Sequence, residues 1–434
     1  MKTKNSLLFL SKLKYVFLVA LLFRLVLAPL ASHPDIRNHV DWGIRFFEYG
    51  ADKFYAPESN VWSFTWPNQP PGTILIFAFV RRTYELIFNI FWQINIYVPV
   101  FPSPIISLID KYLYIILLKL PAILADLGIA YVIYKFLVKH KGLKAAKIGA
   151  ILFLFNPVIW YNSAVWGQTD SVVSLMALLS LWFLLAKKPI LSALSLALCL
   201  YIKISLAVFI PIYLILFLKH KFAKKRILVS VVLPIMIFAV LTLPFSYPHE
   251  PFGWLIMIYK EKVLANQLQV ITANAFNLWA LLTGIKEQPH SLFFGPISYQ
   301  LWGVALFILS IVPLLFKVIR RPGFDNAIWA LALTSFSSFM FLTNMHERYL
   351  YPLFPYLTIL VALNTKLLPI YIGVSGISLL NLYHLWWVPK INISEQVYNA
   401  FDNLLPRALS LVNLCLYLLT FSFFWKSRPG KNII

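Results

Sequence analysis

Along this chain, apolar runs of roughly bilayer length alternate with short polar breaks from Tyr15 almost to the C-terminus, a pattern that predicts membrane-crossing helices. The run 15–30 predicts the first crossing. The next full-length run, 112–134, ends at the basic stretch 135–147, so the two crossings bracket a long outer loop, 31–111. This loop carries seven acids and two amphipathic pieces, 40–54 and 73–91. Arg81 and Arg82 in the second piece predict a helix lying along the membrane surface; a hairpin turning at Arg81 would need legs too short to span. Further crossings are predicted at 148–165, 171–186, 227–245, 300–316, 327–343, 349–364, 367–387 and 408–425. Segment 189–218 lies between two basic loops and must enter and leave on one side, which suits two short, broken helices with Lys203 near the turn. A second outer loop covers 246–299. The whole, 1–434, is expected to be one all-α, polytopic membrane domain with about ten full crossings, or about 12 helices with the broken pair counted.

Composition agrees with this pattern. The residues are 60% hydrophobic and 12% charged, more apolar surface than a soluble core of this length can hide. A formal charge of +22 would suit a nucleic-acid partner, but its distribution excludes one. Basic stretches at 2–14, 135–147, 187–188, 219–226, 317–321 and 426–431 contain no acid. That is the bias of cytoplasmic loops, and it places both termini in the cytoplasm of a multi-pass cell-membrane protein. Cys199 and Cys415 lie in apolar runs and are expected to be small core residues rather than a disulfide. The first 30 residues lack a small-residue cleavage site and are expected to be a first span rather than a removed signal.

Polar residues at the outer ends of apolar helices are where chemistry is expected. Four groups qualify. The first runs from His33 to Trp42 and contains Asp35 and Asp41; either carboxylate can take a proton from an attacking hydroxyl, while Asp35 also suits a helix N-cap. The second, Trp66 to Gly72, contains Asn68 and Gln69 before paired prolines, and is equally explained as a stiff turn. In the third, Tyr161 to Asp170, Asp170 begins a helix, which capping alone can explain. Trp166 can stack on a sugar or anchor in the interfacial belt. The fourth, Asn344 to Pro352, offers Arg348 for a phosphate and His346 for a further hydrogen bond, or else an internal Glu347–Arg348 ion pair. Lys203 can face an anion or snorkel to the interface. No metal-ligand spacing stands out, so neither metal nor cofactor is expected.

Asp35, Trp42 seven residues later and the following Pro-Pro-Gly resemble the first outer loop of GT-C glycosyltransferases. Trp166-Gly167-Gln168-x-Asp170 and His346-Glu347-Arg348-Tyr349-Leu350-Tyr351-Pro352 resemble the bacterial and archaeal mannosyltransferases related to the second GPI mannosyltransferase. Lys119 to Asp126 and Asn156-Pro157 fit the same pattern. The Asp-to-Trp spacing is shared with the dolichyl-phosphate-glucose-dependent Alg glucosyltransferases. The resemblance covers 29 to about 355. Many of these relatives carry Asp-Tyr-Pro-Pro where this chain has Asn68-Gln69-Pro70-Pro71.

The resemblance implies transfer of a sugar from a polyprenyl-phosphate donor, with inversion, and maps the catalytic aspartate onto Asp35. On that basis Asp35 is the expected general base, with Asp41 second. His346, Arg348 and Lys203 are expected at the donor phosphate, and Trp42, Asn68, Gln69, Trp166, Gln168 and Asp170 at the sugar or acceptor. The donor is treated as a substrate; membrane lipids and a glycan, lipid or protein acceptor complete the partners. A transporter or flippase for a lipid-linked or anionic solute is the alternative, and a membrane scaffold a third.

Overall fold

The computed structural model describes residues 2–56, 66–264 and 268–427. The chain begins with α1 (Lys2–Leu27) and enters the first long loop, which holds α2 (Ile36–Tyr49) and α3 (Pro71–Tyr97). Pro71 starts α3 with its φ already set and no amide to leave unpaired. The helix runs unbroken through Arg81, where both Arg81 and Arg82 pair with Glu85 at 2.8 and 2.9 Å. The hairpin alternative is therefore excluded. The amphipathic pieces are helices, and the second is longer than its pattern suggested.

Next come α4 (Pro104–Leu108) and α5 (Tyr114–His140), parts of one helix of 37 residues. They are followed by α6 (Leu143–Leu154) and α7 (Pro157–Trp160). Between α6 and α7 the Asn156 side chain accepts from the Val158 amide at 2.9 Å and Pro157 takes the first helical position, so a new helix starts at an angle of 47° to α6. Then come α8 (Asp170–Leu185), α9 (Pro189–Ile202), a tight turn over Ile204–Phe209, and α10 (Ile210–Lys219). Lys203 stands in extended backbone at the break between α9 and that turn. After α11 (Lys224–Ser246), a loop carries α12 (Pro251–Ile258), α13 (Leu278–Thr283) and a hairpin pairing Phe293–Phe294 with Ile297–Ser298. The chain ends with α14 (Tyr299–Arg320), α15 (Phe324–Phe341), α16 (Leu353–Leu363), α17 (Leu368–Tyr383) and α18 (Ser394–Lys426).

The fold is all-α and polytopic. Among the described residues, five helices are individually long and apolar enough to cross, or six with the bent α6–α7 pair. The runs expected at 171–186 and 349–364 form helices of 16 and 11 residues, α8 and α16, both shorter than the roughly 20 residues a full crossing takes. Helices α15 and α16 form the centre, with nearly every side chain buried. Helices α11 and α14 lie at the rim; only 17% of the span of each is buried, and their exposed Leu, Ile and Val suit lipid. Cys199 is buried in α9, but Cys415 is exposed on α18, which corrects its assignment to the core; both are free.

One charged cluster lies within the apolar centre. Arg24 Nε donates to Asp126 Oδ2 at 3.0 Å, and Arg24 also reaches the Leu154 carbonyl at 2.8 Å. The Ser163 hydroxyl donates to Asp126 Oδ2 at 2.6 Å and the Tyr351 hydroxyl to Oδ1 at 2.8 Å. A carboxylate removed from water is tolerable only when its lone pairs are so occupied. The consequence is positional. Asp126 joins the end of α1, the turn after α7 and the segment before α16, the three segments that lead to the polar residues described next.

Candidate active site

Beyond α1 the chain is held by a buried lysine. Lys119 Nζ donates to the Ala28 and Ala31 carbonyls at 2.7 and 2.6 Å, fixing the segment that presents Asp35. Asp35 Oδ2 then accepts from Trp166 Nε1 at 3.1 Å and from Gln168 Nε2 at 2.7 Å. Gly167 makes this double contact possible. Its φ of +81° turns the chain between the two donors, and a Cβ there would meet Lys119 Cγ at 2.9 Å. Asp35 precedes α2 but makes no capping bond with it, so the N-cap alternative fails.

Arg348 approaches from the opposite side, its Nη1 3.9 Å from Asp35 Oδ2 and 3.0 Å from Glu347 Oε1. The Glu347–Arg348 ion pair thus exists, and the guanidinium is shared with Asp35. Arg348 Nε is buried without a partner among the described residues. The turn that carries it is stitched to the long loop between α11 and α14. Asn344 Oδ1 accepts from the Val270 amide at 2.7 Å, the Ala273 amide donates to the Met345 carbonyl at 3.0 Å, and Asn274 Nδ2 reaches Glu347 Oε2 at 3.3 Å.

These neighbours set the charges. Burial pushes the Asp35 carboxyl up, but Arg348, His33 and the Trp166 hydrogen bond together hold it below the usual carboxylate range. Burial likewise works against the Arg348 cation, and Asp35 and Glu347 outweigh it, raising the pKa. Burial lowers His33 and His346 to about 3 and His39 to about 4. Neutral His33 agrees with its geometry, since its Nδ1 accepts from the Asp35 amide at 3.1 Å. Burial also lifts Glu347 to about 7 against the pull of Arg348. At neutral pH the centre therefore holds the Asp35 carboxylate and the Arg348 guanidinium among neutral imidazoles, with Glu347 near its midpoint of ionisation.

Asp35, His39, Trp42, Gln168, His346 and Arg348 line a cavity of about 270 Å³. A second chamber of about 350 Å³ contains Lys203 and shares Asn68, Gln69 and Tyr349 with the first. Several expected residues take other places. Asp41 lines neither chamber. Trp166 is fully buried, stacked on His33 at 3.9 Å with Arg348 over its ring at 5.5 Å, and lines neither chamber. Asp170 is buried behind the wall, where its Oδ1 pairs with Lys203 Nζ at 2.7 Å. Its effect on a ligand would pass through Lys203, and Lys203 neither snorkels nor stands as a free cation.

The sequence did not single out Asn38, His39, Thr73 or Trp386, which also line the first chamber. Asn38, His39 and Trp42 share one face of α2, a spacing that could have marked them. Trp386 follows α17, far from any motif, yet meets the His33 ring at 4.2 Å. An apolar groove of about 630 Å³ is bordered by Gly72 at the start of α3, next in sequence to Thr73 of the first chamber.

A family model, that of glycosyltransferase family 87, matches residues 97–343, more than half of the chain. The chain belongs to glycosyltransferase family 87. As a membrane glycosyltransferase it must hold a sugar donor and an acceptor, and the transporter and scaffold alternatives give way. The matched region of this family 87 member includes Trp166, Gln168, Asp170 and Lys203. It stops short of Asp35 and Arg348, whose importance rests on their convergence in space. No curated protein matches the chain.

Proposed function

We propose that this glycosyltransferase moves a hexose from a polyprenyl-phosphate sugar to a hydroxyl acceptor, with inversion, at the extracytoplasmic face of the cell membrane. The observation that carries this reading is that Asp35 and Arg348 face one cavity of about 270 Å³. Asp35 Oδ2 is occupied by Trp166 and Gln168, and Oδ1 has no bond to a described residue. Oδ1 is the atom that accepts the acceptor's proton. The acceptor oxygen bonds to the anomeric carbon as the bond from that carbon to the phosphate oxygen breaks, and the lipid phosphate leaves with the electron pair. A phosphate is a weak enough base to depart without a general acid. Arg348, whose guanidinium lines the cavity and is only 13% exposed, meets the growing charge, and a contact from so buried a cation is stronger than one in open water. Neutral His346 adds a hydrogen-bond donor. No step requires a metal. The apolar groove beside α3 suits the prenyl chain.

Mannose is the favoured sugar because His346 to Pro352 resembles the mannosyltransferase motif. Purified full-length protein incubated with a polyprenyl-phosphate mannose and candidate acceptors, followed by mass spectrometry, tests the reading. The expected result is a mannosylated product lost in Asp35→Asn while donor binding persists. Full turnover in that variant would overturn the role of Asp35, and product only with nucleotide-sugar donors would overturn the donor class.

A further inference from the structure

A second polar cavity lies at the other end of the helix bundle. Helix α15 has 18 residues and is about 27 Å long. Its C-terminal end leads to the His346–Arg348 turn; its N-terminal end borders a cavity of about 590 Å³. The ends of α5, α16 and α18 meet there and bring Lys141, Lys366 and Lys426 to the lining. None of these lysines makes an ion pair or a side-chain hydrogen bond with a described residue, although the neighbouring Lys317 is tied to the Phe424 carbonyl at 2.8 Å and to Ser427 Oγ at 2.9 Å. The rest of the wall is mixed: Trp329, Leu360, Leu363 and Phe423 form an apolar part, His140, Asn326, Asn364 and Ser427 a neutral polar part, and Asp325 is its acid, with no ion pair to a described residue.

We infer that this cavity binds the headgroup of an anionic phospholipid from the leaflet opposite the active site, of the hydroxylated, phosphatidylglycerol type. Three cations from separate helix ends, converging without counter-ions, call for a phosphate. Asn326, Asn364 and Ser427 can bond the glycerol hydroxyls, and the apolar part of the wall, Trp329, Leu360, Leu363 and Phe423, suits the first acyl carbons, which a soluble anion would leave unused. Asp325 would repel a second phosphate but can accept from a headgroup hydroxyl. Ordinary solvated loop lysines explain the charge but not its concentration in one multi-helix cavity.

Native mass spectrometry of the full-length protein in neutral detergent tests this, with phosphatidylglycerol and phosphatidylcholine of matched acyl chains as probes. Wild type should retain phosphatidylglycerol at least about tenfold better than phosphatidylcholine. Lys141→Gln/Lys366→Gln/Lys426→Gln should lose that preference, and its thermal unfolding midpoint reports that the fold persists. A control at another basic loop, Lys224→Gln/Lys225→Gln/Arg226→Gln, should keep it. Asp325→Asn should bring phosphatidic acid up toward phosphatidylglycerol. Equal retention of the two probes by wild type, equal loss in the control variant, or displacement by free glycerol 3-phosphate as readily as by the lipid would each overturn the proposal. Sugar transfer is not the readout, so failure here leaves the proposed reaction untouched.

Discussion

Asp35 Oδ2 and Arg348 Nη1 stand 3.9 Å apart, one just past the first helix and the other beyond α15. Each alters what the other can do. The guanidinium keeps the carboxyl ionised despite its burial, and the carboxylate offsets the cost of burying the guanidinium. Because the folded pKa of Asp35 is depressed, its ionised form is lost only as pH falls through that lowered value. With Arg348→Gln, burial loses its main opponent and the Asp35 pKa rises. The acid limb of a kcat/KM–pH profile should therefore move to higher pH, in addition to a fall in rate of about 100-fold or more from the lost charge stabilisation. An acid limb that stays in place would assign it to a group other than Asp35.

Glu347 supplies a second pH dependence, of opposite sign. Its pKa is raised from 4.5 to about 7 by burial, so the folded protein binds its proton more tightly than the unfolded chain does. The stability this gives is present below about 4.5 and is lost as pH rises through about 7. Glu347→Gln resembles the protonated form. Thermal unfolding should find the variant close to wild type near pH 5 and relatively more stable than wild type at pH 8. A difference that is constant across this range would show that Glu347 does not change protonation there.

Much of the centre was legible because it lies in short, polar interruptions of apolar runs. Asp35, Gln168, His346 and Arg348 each stand in such a break, and Lys203 falls at the break between α9 and the turn that follows. What could not be read is which residue meets which across the fold. Asp170 looks like a helix cap until Lys203, 33 positions away, is seen bonded to it. Lys119 looks like a charge stranded in a span until the carbonyls of Ala28 and Ala31 are found on it. Asp41 has the right chemistry, but Asn38, His39 and Trp42 are the α2 residues that line the cavity, and Asp41 is not among them. The broken pair over 189–218 was legible from the two basic loops that flank it, and α9 and α10 meet beside Lys203 as that charge pattern requires.

Gly72 is required by packing rather than by backbone conformation. A Cβ at this position would lie 2.5 Å from the Tyr201 carbonyl oxygen, where the start of α3 rests on the end of α9. Thr73 Oγ1 donates to the Ile202 carbonyl at 2.6 Å across the same contact. Gly72→Ala must push α3 away and carry Asn68, Gln69 and Thr73, all lining residues, with it. A stability loss of about 1–3 kcal/mol is expected, with KM rising more than kcat falls, since Asp35 and Arg348 are held by other segments. Thermal unfolding and steady-state kinetics on one preparation check both; unchanged KM would mean that this wall does not touch substrate.

The buried Arg24–Asp126 pair separates stability from placement. Arg24→Met leaves Asp126 with the Ser163 and Tyr351 hydroxyls but no cation, and breaking such a pair typically costs about 3–5 kcal/mol. Arg24→Met/Asp126→Leu removes both charges and should recover most of that loss, because an apolar pair of similar volume suits the surrounding core. Activity should not recover in step. Without Asp126, the Tyr351 hydroxyl and the turn bearing Ser163 lose their common acceptor, and the segments presenting Arg348 and Trp166 are no longer fixed to each other. The double variant is expected to unfold near the wild-type midpoint yet turn over at least about tenfold more slowly, a loss of the size that a small misplacement of reacting groups produces. Wild-type kinetics in a stable double variant would reduce the cluster to a packing device and leave the placement of Arg348 to the loop between α11 and α14 alone.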